Sequence, residues 1–292
     1  MGYTPSALGR GLVTRQTTTI GVVITTASDP FWAPVVTSIE EMARDNGYAV
    51  FLSSSCSDAE RELAAVRAFY ERRVSGVIVI GSQVEEGYLK LRDRFPLPIV
   101  LTNCRSYPYS IASDNVVGAQ RAVAHLIQLG HRRIAYIANP HSHCTNLDRY
   151  AGYRQALDKA GIPLDQNLVA EGNGTLGGGI NAARQLLASS QMLTAFFCFN
   201  DMTAIGVIVA LRQAGFQVPR DKSVVGFDDL DLGLYYHPPL TTVRQPTCQM
   251  GQRAMRTLLA LIRGRDDVRS EILPTELIIR ETTGPVISSD GQ

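Results

Sequence analysis

The chain has 292 residues, 45% of them hydrophobic and 19% charged, with a net charge of +1, the composition of a globular protein of about two domains. So even a balance excludes a general attraction to phosphate backbones or anionic membranes, and any nucleic-acid contact has to come from a local element. No apolar run reaches the ~18 residues that span a bilayer and the N-terminus lacks the basic-then-apolar layout of an export signal, which predicts a cytoplasmic protein.

Residues 1–18 stand apart, holding Arg10 and Arg15 and no acid. Thr4 and Pro5 are helix start signals, an N-cap followed by proline at the first helical position. Leu8 and Leu12 then fall on one helical face. Gly9 and Gly11 each cost about 1 kcal/mol relative to alanine, so a helix this short is expected to persist only against a partner surface.

From Thr19 onward, short β-branched runs alternate with amphipathic segments, the pattern of β-α-β units on a parallel sheet. Strands are predicted at Thr19–Thr25, Ala49–Leu52, Gly76–Ile80 and Pro98–Thr102, with helices at Trp32–Asn46, Asp58–Arg72 and Glu85–Phe95 between them. A helix over Asn115–Leu129, ended by Gly130, leads to a second series. There the strands are 133–138, 167–170, 195–199 and 222–227, and the helices 148–160, 178–189 and 201–214. Two such series imply two open α/β domains, whose ligands bind beyond the carboxyl ends of the strands, and a cleft between the halves is the expected site.

Gly172-Asn173-Gly174-Thr175-Leu176-Gly177 satisfies the G-x-G-x-x-G dinucleotide pattern. It lies in the middle of the second series, whereas the end of the first strand, where that fingerprint belongs, reads Thr26-Ala27-Ser28-Asp29-Pro30-Phe31-Trp32. No nucleotide cofactor is expected. The five cysteines are odd in number and widely separated, which reads as reduced thiols. His141-Ser142-His143-Cys144 clusters metal-ligand types without a partner cluster to complete a set of four, so no metal is expected. There is no G-x-S-x-G elbow, H-E-x-x-H pair or phosphate-binding loop, and His125 and His131 flank a helix end where the dipole suits them. No catalytic residues and no enzyme activity are expected.

The strand ends do carry groups that grip polyols. Asn200-Asp201 and Asp228-Asp229 each follow a buried strand, and Arg149 opens the helix after the strand that starts at Arg133. Forked donors and acceptors beside an apolar wall, Phe31 or Trp32, suit sugar hydroxyls. The plainer reading is that Asp201 and Asp228 cap helices.

These segments resemble the lactose/galactose repressor family of bacterial transcription regulators over nearly the whole chain. The residues that carry the resemblance are Gly2-Tyr3-x-Pro5 with "SALGRGL", then "TIGVVI", "SDPFW", "ERRVSGVIVIG", "HLIQLGHRRIAYI", "DRYAGYRQAL", "FNDMTAIGVIVAL", "VPRDKSVVGFDD" and "PPLTTVRQP". The resemblance implies an α/β fold of two Rossmann-like subdomains, periplasmic-binding-protein-like type I with crossover connections, that forms a homodimer and binds a small effector. It also implies a hinge at 1–18 that follows a helix-turn-helix and meets operator DNA when that headpiece is present. Leu12 matches the leucine that wedges into the minor groove, with Arg10 beside it in the hinge helix. The subdomains implied are 19–131 plus 245–264 and 132–244 plus 265–285, with a tail at 286–292, a helix from about Gln245 to Gly264 returning to the first half and a strand at Thr275–Arg280 in the second.

Carried over position by position, the effector site is Phe31, Trp32, Arg149, Asn200, Asp201 and Asp228, and Arg149 with Asp228 resembles the pair that grips sugar hydroxyls. Gly174 stands where many members place an aromatic platform, so "GNGTLGGG" reads as a loop that enlarges the pocket and enters a helix. The function implied is an effector-sensing repressor core whose ligand, a sugar or sugar derivative, changes operator affinity. A periplasmic-type sugar-binding protein for transport shares the architecture and is the alternative.

Overall fold

The computed structural model describes residues 17–85, 87–91, 95–189, 192–265 and 267–286, and the chain divides into two units. The first runs to Ser113 and takes in Pro246–Leu273; the second is Asp114–Gln245 with the residues from Pro274 onward. The hinge residues Arg10 and Leu12 lie outside the described residues.

In the first unit, β1 (Thr19–Ile24), β2 (Ala49–Ser54), β3 (Gly76–Ile80), β4 (Ile99–Thr102), β5 (Ser110–Ser113) and β11 (Glu271–Leu273) form a parallel sheet in the order β11-β5-β4-β3-β1-β2. Strands β3 and β4 are buried along their whole length, as a parallel sheet covered on both faces requires. Helices Trp32–Asp45, Ala59–Glu71 and Thr247–Ile262 supply the cover. A Cβ on Gly251 would lie 2.4 Å from the Val35 carbonyl oxygen, so the missing side chain lets the late helix lie directly on the early one. The helix Thr247–Ile262 belongs to the first unit. The helix expected over Glu85–Phe95 is described only as Gly87–Leu91.

In the second unit, β6 (Ile134–Ala138), β7 (Val169–Glu171), β8 (Ala195–Cys198) and β9 (Ser223–Val225) form a parallel sheet in the order β7-β6-β8-β9. Two short strands, β10 (Thr242–Arg244) and β12 (Glu276–Ile278), pair antiparallel, the second within the span expected to be a strand. Helices Asn115–Gln128 and His143–Lys159 form one packed pair, and Leu176–Ser189 and Asp201–Gln213 another. The approach is tight in both. A Cβ on Gly152 would lie 2.3 Å from the Val116 carbonyl oxygen, and one on Gly179 would lie 2.2 Å from that of Thr203.

Two boundaries therefore differ from expectation. Residues 114–131 belong to the second unit, because the helix Asn115–Gln128 packs on His143–Lys159 through Gly152. Residues 265–273 belong to the first, because β11 pairs with β5 in the register Glu271↔Ile111.

Candidate functional site

Parallel strands direct their carboxyl ends to one edge of a sheet, so the loops after β6, β7, β8 and β9 share one rim of the second unit. Arg149 enters this rim from the helix His143–Lys159, in its second turn and not at its start as expected, because the helix begins earlier. Asn146 ties that helix to β6, its Oδ1 accepting from the Tyr136 hydroxyl at 2.8 Å and the Asn139 amide at 2.9 Å.

The Arg149 side chain is only 2% exposed. Its Nε donates to Asn115 Oδ1 at 3.0 Å, Nη1 donates to the Phe199 carbonyl oxygen, and Nη2 lies 3.7 Å from Asp228 Oδ1. That last separation is a charge contact, longer than a hydrogen bond. The guanidinium sits 3.7 Å from the centre of the Phe227 ring and 4.6 Å from that of Phe199, within cation–π range. Burial lowers its pKa, and the Asp228 carboxylate acts in the opposite sense.

Asp228 is buried and has φ 132°, a backbone region that L-residues other than glycine rarely occupy. Such strain costs on the order of 1–3 kcal/mol and persists only where the surroundings impose it. Here the backbone amide donates to the Val243 carbonyl at 2.8 Å and the carboxylate Oδ1 accepts from Gln245 Nε2 at 2.7 Å. Asp228 caps no helix; the short helix that follows, Asp231–Tyr235, has Leu230 at its N-cap.

Asn200, not Asp201, caps the helix Asp201–Gln213: its Oδ1 accepts from the Thr203 amide at 2.9 Å and the Thr203 hydroxyl at 2.6 Å, while Nδ2 donates to the Gly174 carbonyl at 2.9 Å. Asp201, expected among the effector contacts, has both carboxylate oxygens engaged by the fold. Oδ1 accepts from the Thr242 hydroxyl at 2.5 Å and Oδ2 from the Leu230 amide at 2.8 Å, which clamps the chain on either side of the Asp231–Tyr235 helix. Burial pushes its pKa up to about 6 even though those two bonds favour the charged form.

The glycine-rich loop folds onto itself. Asn173 Oδ1 accepts from the Thr175 amide and hydroxyl at 3.1 and 2.6 Å, and the Thr175 hydroxyl accepts from the Gly178 amide at 3.1 Å, which starts the helix Leu176–Ser189. Gly174 has φ 75° and a Cβ there would lie 2.6 Å from Asn139 Nδ2, so no side chain fits without movement.

In the first unit Phe31 and Trp32 follow β1, both buried, with ring centres 4.6 Å apart and edge to face. Trp32 Nε1 donates to the Thr25 hydroxyl at 2.8 Å, and the Phe31 amide donates to Asp29 Oδ1 at 3.0 Å. Arg149 and Asp228 are thus brought together, Asn200 and Asp201 are neighbours engaged with other partners, and Phe31 and Trp32 pair with each other. Sequence reasoning missed Asn115, Gln245, Phe199 and Phe227. The two phenylalanines had a legible signal, since each immediately precedes a polar pair at a strand end; Asn115 and Gln245 had none, because only the folded chain brings them near Arg149 and Asp228. Among the described residues no group of three metal-ligating side chains is present, and no helix is long and apolar enough to cross a membrane.

Residues 123–283 match the periplasmic binding protein-like domain family. A transcriptional repressor of helix-turn-helix type, PurR of Vibrio atlanticus, is 32% identical over 97% of this chain and 86% of its own length. The lac repressor dimer bound to operator and the anti-inducer ONPF superposes with a TM-score of 0.88 at 29% identity, covering 97% of this chain and all of that one. The complex of the transcriptional regulator CelR with cellobiose gives a TM-score of 0.84 at 29% identity, covering 95% of this chain and 91% of that one.

Proposed function

Since the chain belongs to the lactose/galactose repressor family, as a transcriptional regulator and not an enzyme, we propose that the small molecule it senses is a carbohydrate or carbohydrate derivative. The observation that carries this reading is the buried Arg149–Asp228 pair, laid on Phe227 and Phe199 at the strand ends. A guanidinium and a carboxylate offer donors and acceptors side by side, the arrangement that adjacent hydroxyls satisfy, while the buried rings hold the guanidinium in place. Asn200 stands on the same rim. In the first unit Phe31 and Trp32 are the proposed apolar contacts. Asp201 contributes by holding the loop that leads from Asp228 to β10, so its role in this proposal is positioning.

The effector acts only through different affinity for two states of the regulator, and that difference sets the change in operator affinity. Arg10 and Leu12 are the proposed operator contacts of the hinge.

The regulator is proposed to work as a homodimer. In support, β2 is an edge strand on which Phe51 and Leu52 are each 51% exposed, and an apolar edge of this kind invites pairing unless it is covered. Sedimentation of wild type and Phe51→Asp should show a dimer and a weakened dimer, respectively.

Titration calorimetry with cellobiose, D-ribose, D-galactose and hypoxanthine tests the effector class. Saturable binding of a sugar is expected; hypoxanthine as the tightest binder would replace the carbohydrate reading with a nucleobase one.

A further inference from the structure

The described chain enters the first unit between two loops. On one side the Thr18 carbonyl accepts from the Ala49 amide at 2.9 Å, and on the other the Thr19 carbonyl accepts from the Ser75 amide at 2.8 Å. The Thr17 hydroxyl donates to the Arg73 carbonyl oxygen at 2.6 Å, and the Ser75 hydroxyl donates to the Thr17 carbonyl. The loops follow the helices Trp32–Asp45 and Ala59–Glu71, so the last turns of both flank the entry. Arg44 and Arg73, both exposed, make it basic on either side. Arg44 suits the negative end of its helix dipole and so has a structural reason to be there.

Arg73 has none. It follows the C-cap Arg72 in the left-handed backbone region, with φ 56°. At the ends of other helices Gly47, Gly130, Gly161, Gly215 and Gly264 hold the equivalent place, because glycine takes it without the strain that a Cβ brings. No side-chain contact offsets that strain at Arg73: among the described residues its guanidinium makes no hydrogen bond or ion pair. The helix end is served by Arg72, whose Nη1 donates to the Ala68 carbonyl at 3.0 Å.

We infer that Arg73 is a phosphate contact through which the core itself touches operator DNA. This rests on the reading that the residues before Thr17 form the operator-binding hinge. From Leu12 to Thr17 is five residues, and an extended chain spans at most about 3.6 Å per residue, so Thr17 is tethered within about 18 Å of the Leu12 wedge. Phosphates line both sides of that groove, and a guanidinium beside Thr17 presents a planar fork of donors that matches their oxygens. Such a contact fixes the register of the protein on the duplex and carries no sequence information.

The test measures fluorescence anisotropy of a labelled mixed-sequence DNA duplex with the 292-residue chain, as potassium chloride is raised from about 20 to about 200 mM. Saturable binding by wild type is expected at low salt. Arg73→Gly removes the guanidinium and restores the residue that this backbone favours. It should lose about fivefold or more in affinity at low salt and flatten the logarithmic salt dependence by about 0.9 per contact removed. Its urea midpoint should equal or exceed that of wild type. If it does not fold, Arg73→Asn, which also accepts the left-handed region, is expected to show the same loss and its absence has the same force. Unchanged affinity, or a loss that comes with a lowered midpoint, overturns the inference. Arg10→Ala tests the premise separately: if it weakens binding and Arg73→Gly does not, the hinge reading stands and the inference falls. If only Arg73→Gly weakens binding, the phosphate contact stands and Arg10 is withdrawn from the hinge contacts. No binding at the lowest salt overturns both.

Discussion

Each unit buries a carboxylate near the end of its sheet where the strands finish, and the two carboxylates are treated differently. In the first unit Glu62, 1% exposed, accepts from the Ser82 hydroxyl at 2.6 Å, the Tyr88 hydroxyl at 2.8 Å and the Gln83 amide at 2.8 Å. All three donors are neutral and come from the stretch 82–88, and burial, with the neighbouring acid, raises the Tyr88 pKa. In the second unit Asp228 has a guanidinium at 3.7 Å, the Gln245 amide at 2.7 Å and a backbone φ of 132°. Glu62 is a finished network that pins the loop after β3 to the helix Ala59–Glu71. The Asp228 cluster is charged and strained, the condition expected where a fold keeps capacity for a ligand.

The sharpest way to break this comparison is Arg149→Ala. It leaves Asp228 buried without its cation, a change that costs about 3–5 kcal/mol. Effector binding should be lost and the urea midpoint should fall; retained affinity would show that the charged cluster is structural like Glu62. Next in size, Glu62→Ala strands three donors and should cost about 2–3 kcal/mol at the same midpoint, as hydrogen bonds to a charged group are worth. Its effector affinity should match wild type, and a parallel loss of affinity would erase the distinction between the units.

A smaller effect separates the positioning acid, Asp201, from both. Its pKa is pushed up to about 6 by burial, against an ordinary value of 3.8, so the folded state takes up a proton before the unfolded state does. Stability from this group is therefore fully present below the unfolded value and is lost as pH rises from about 4 through about 6. Asp201→Asn removes the titration, and the difference in stability between wild type and variant should change by roughly 1–3 kcal/mol across that window. His125 and His131 work in the opposite sense, since burial lowers both pKa values and stability falls as pH drops below the ordinary histidine range. Taking the difference between wild type and Asp201→Asn cancels that contribution. No change across the window would mean that the carboxylate is charged throughout.

Much of this architecture is written locally. The β-branched runs at 19–24, 76–80 and 134–138 are too apolar to be anything but covered strands, and the helix ends at Gly47 and Gly161, with φ 79° and 66°, need a residue that accepts the left-handed region. The short strands Ser110–Ser113, Glu271–Leu273 and Thr242–Arg244 carry too few residues for an alternation to stand out, and they are strands because a partner's backbone lies alongside. Likewise no local feature of the helix Asn115–Gln128 says which sheet it covers.

The order of the longer strands and helices and the residue types at their ends came from the chain itself, because hydrophobic period and helix-stop chemistry act over a few residues. Folding in three dimensions decided the rest. It assigned the helix Asn115–Gln128 to the second unit through the Gly152 contact, turned Asp201 into a clamp and Asn200 into a cap, and joined Arg149, Asp228 and Gln245 across 96 positions of sequence. Hydrogen bonds and close packing depend on which groups end up adjacent, and adjacency between distant residues is a property of the folded chain alone.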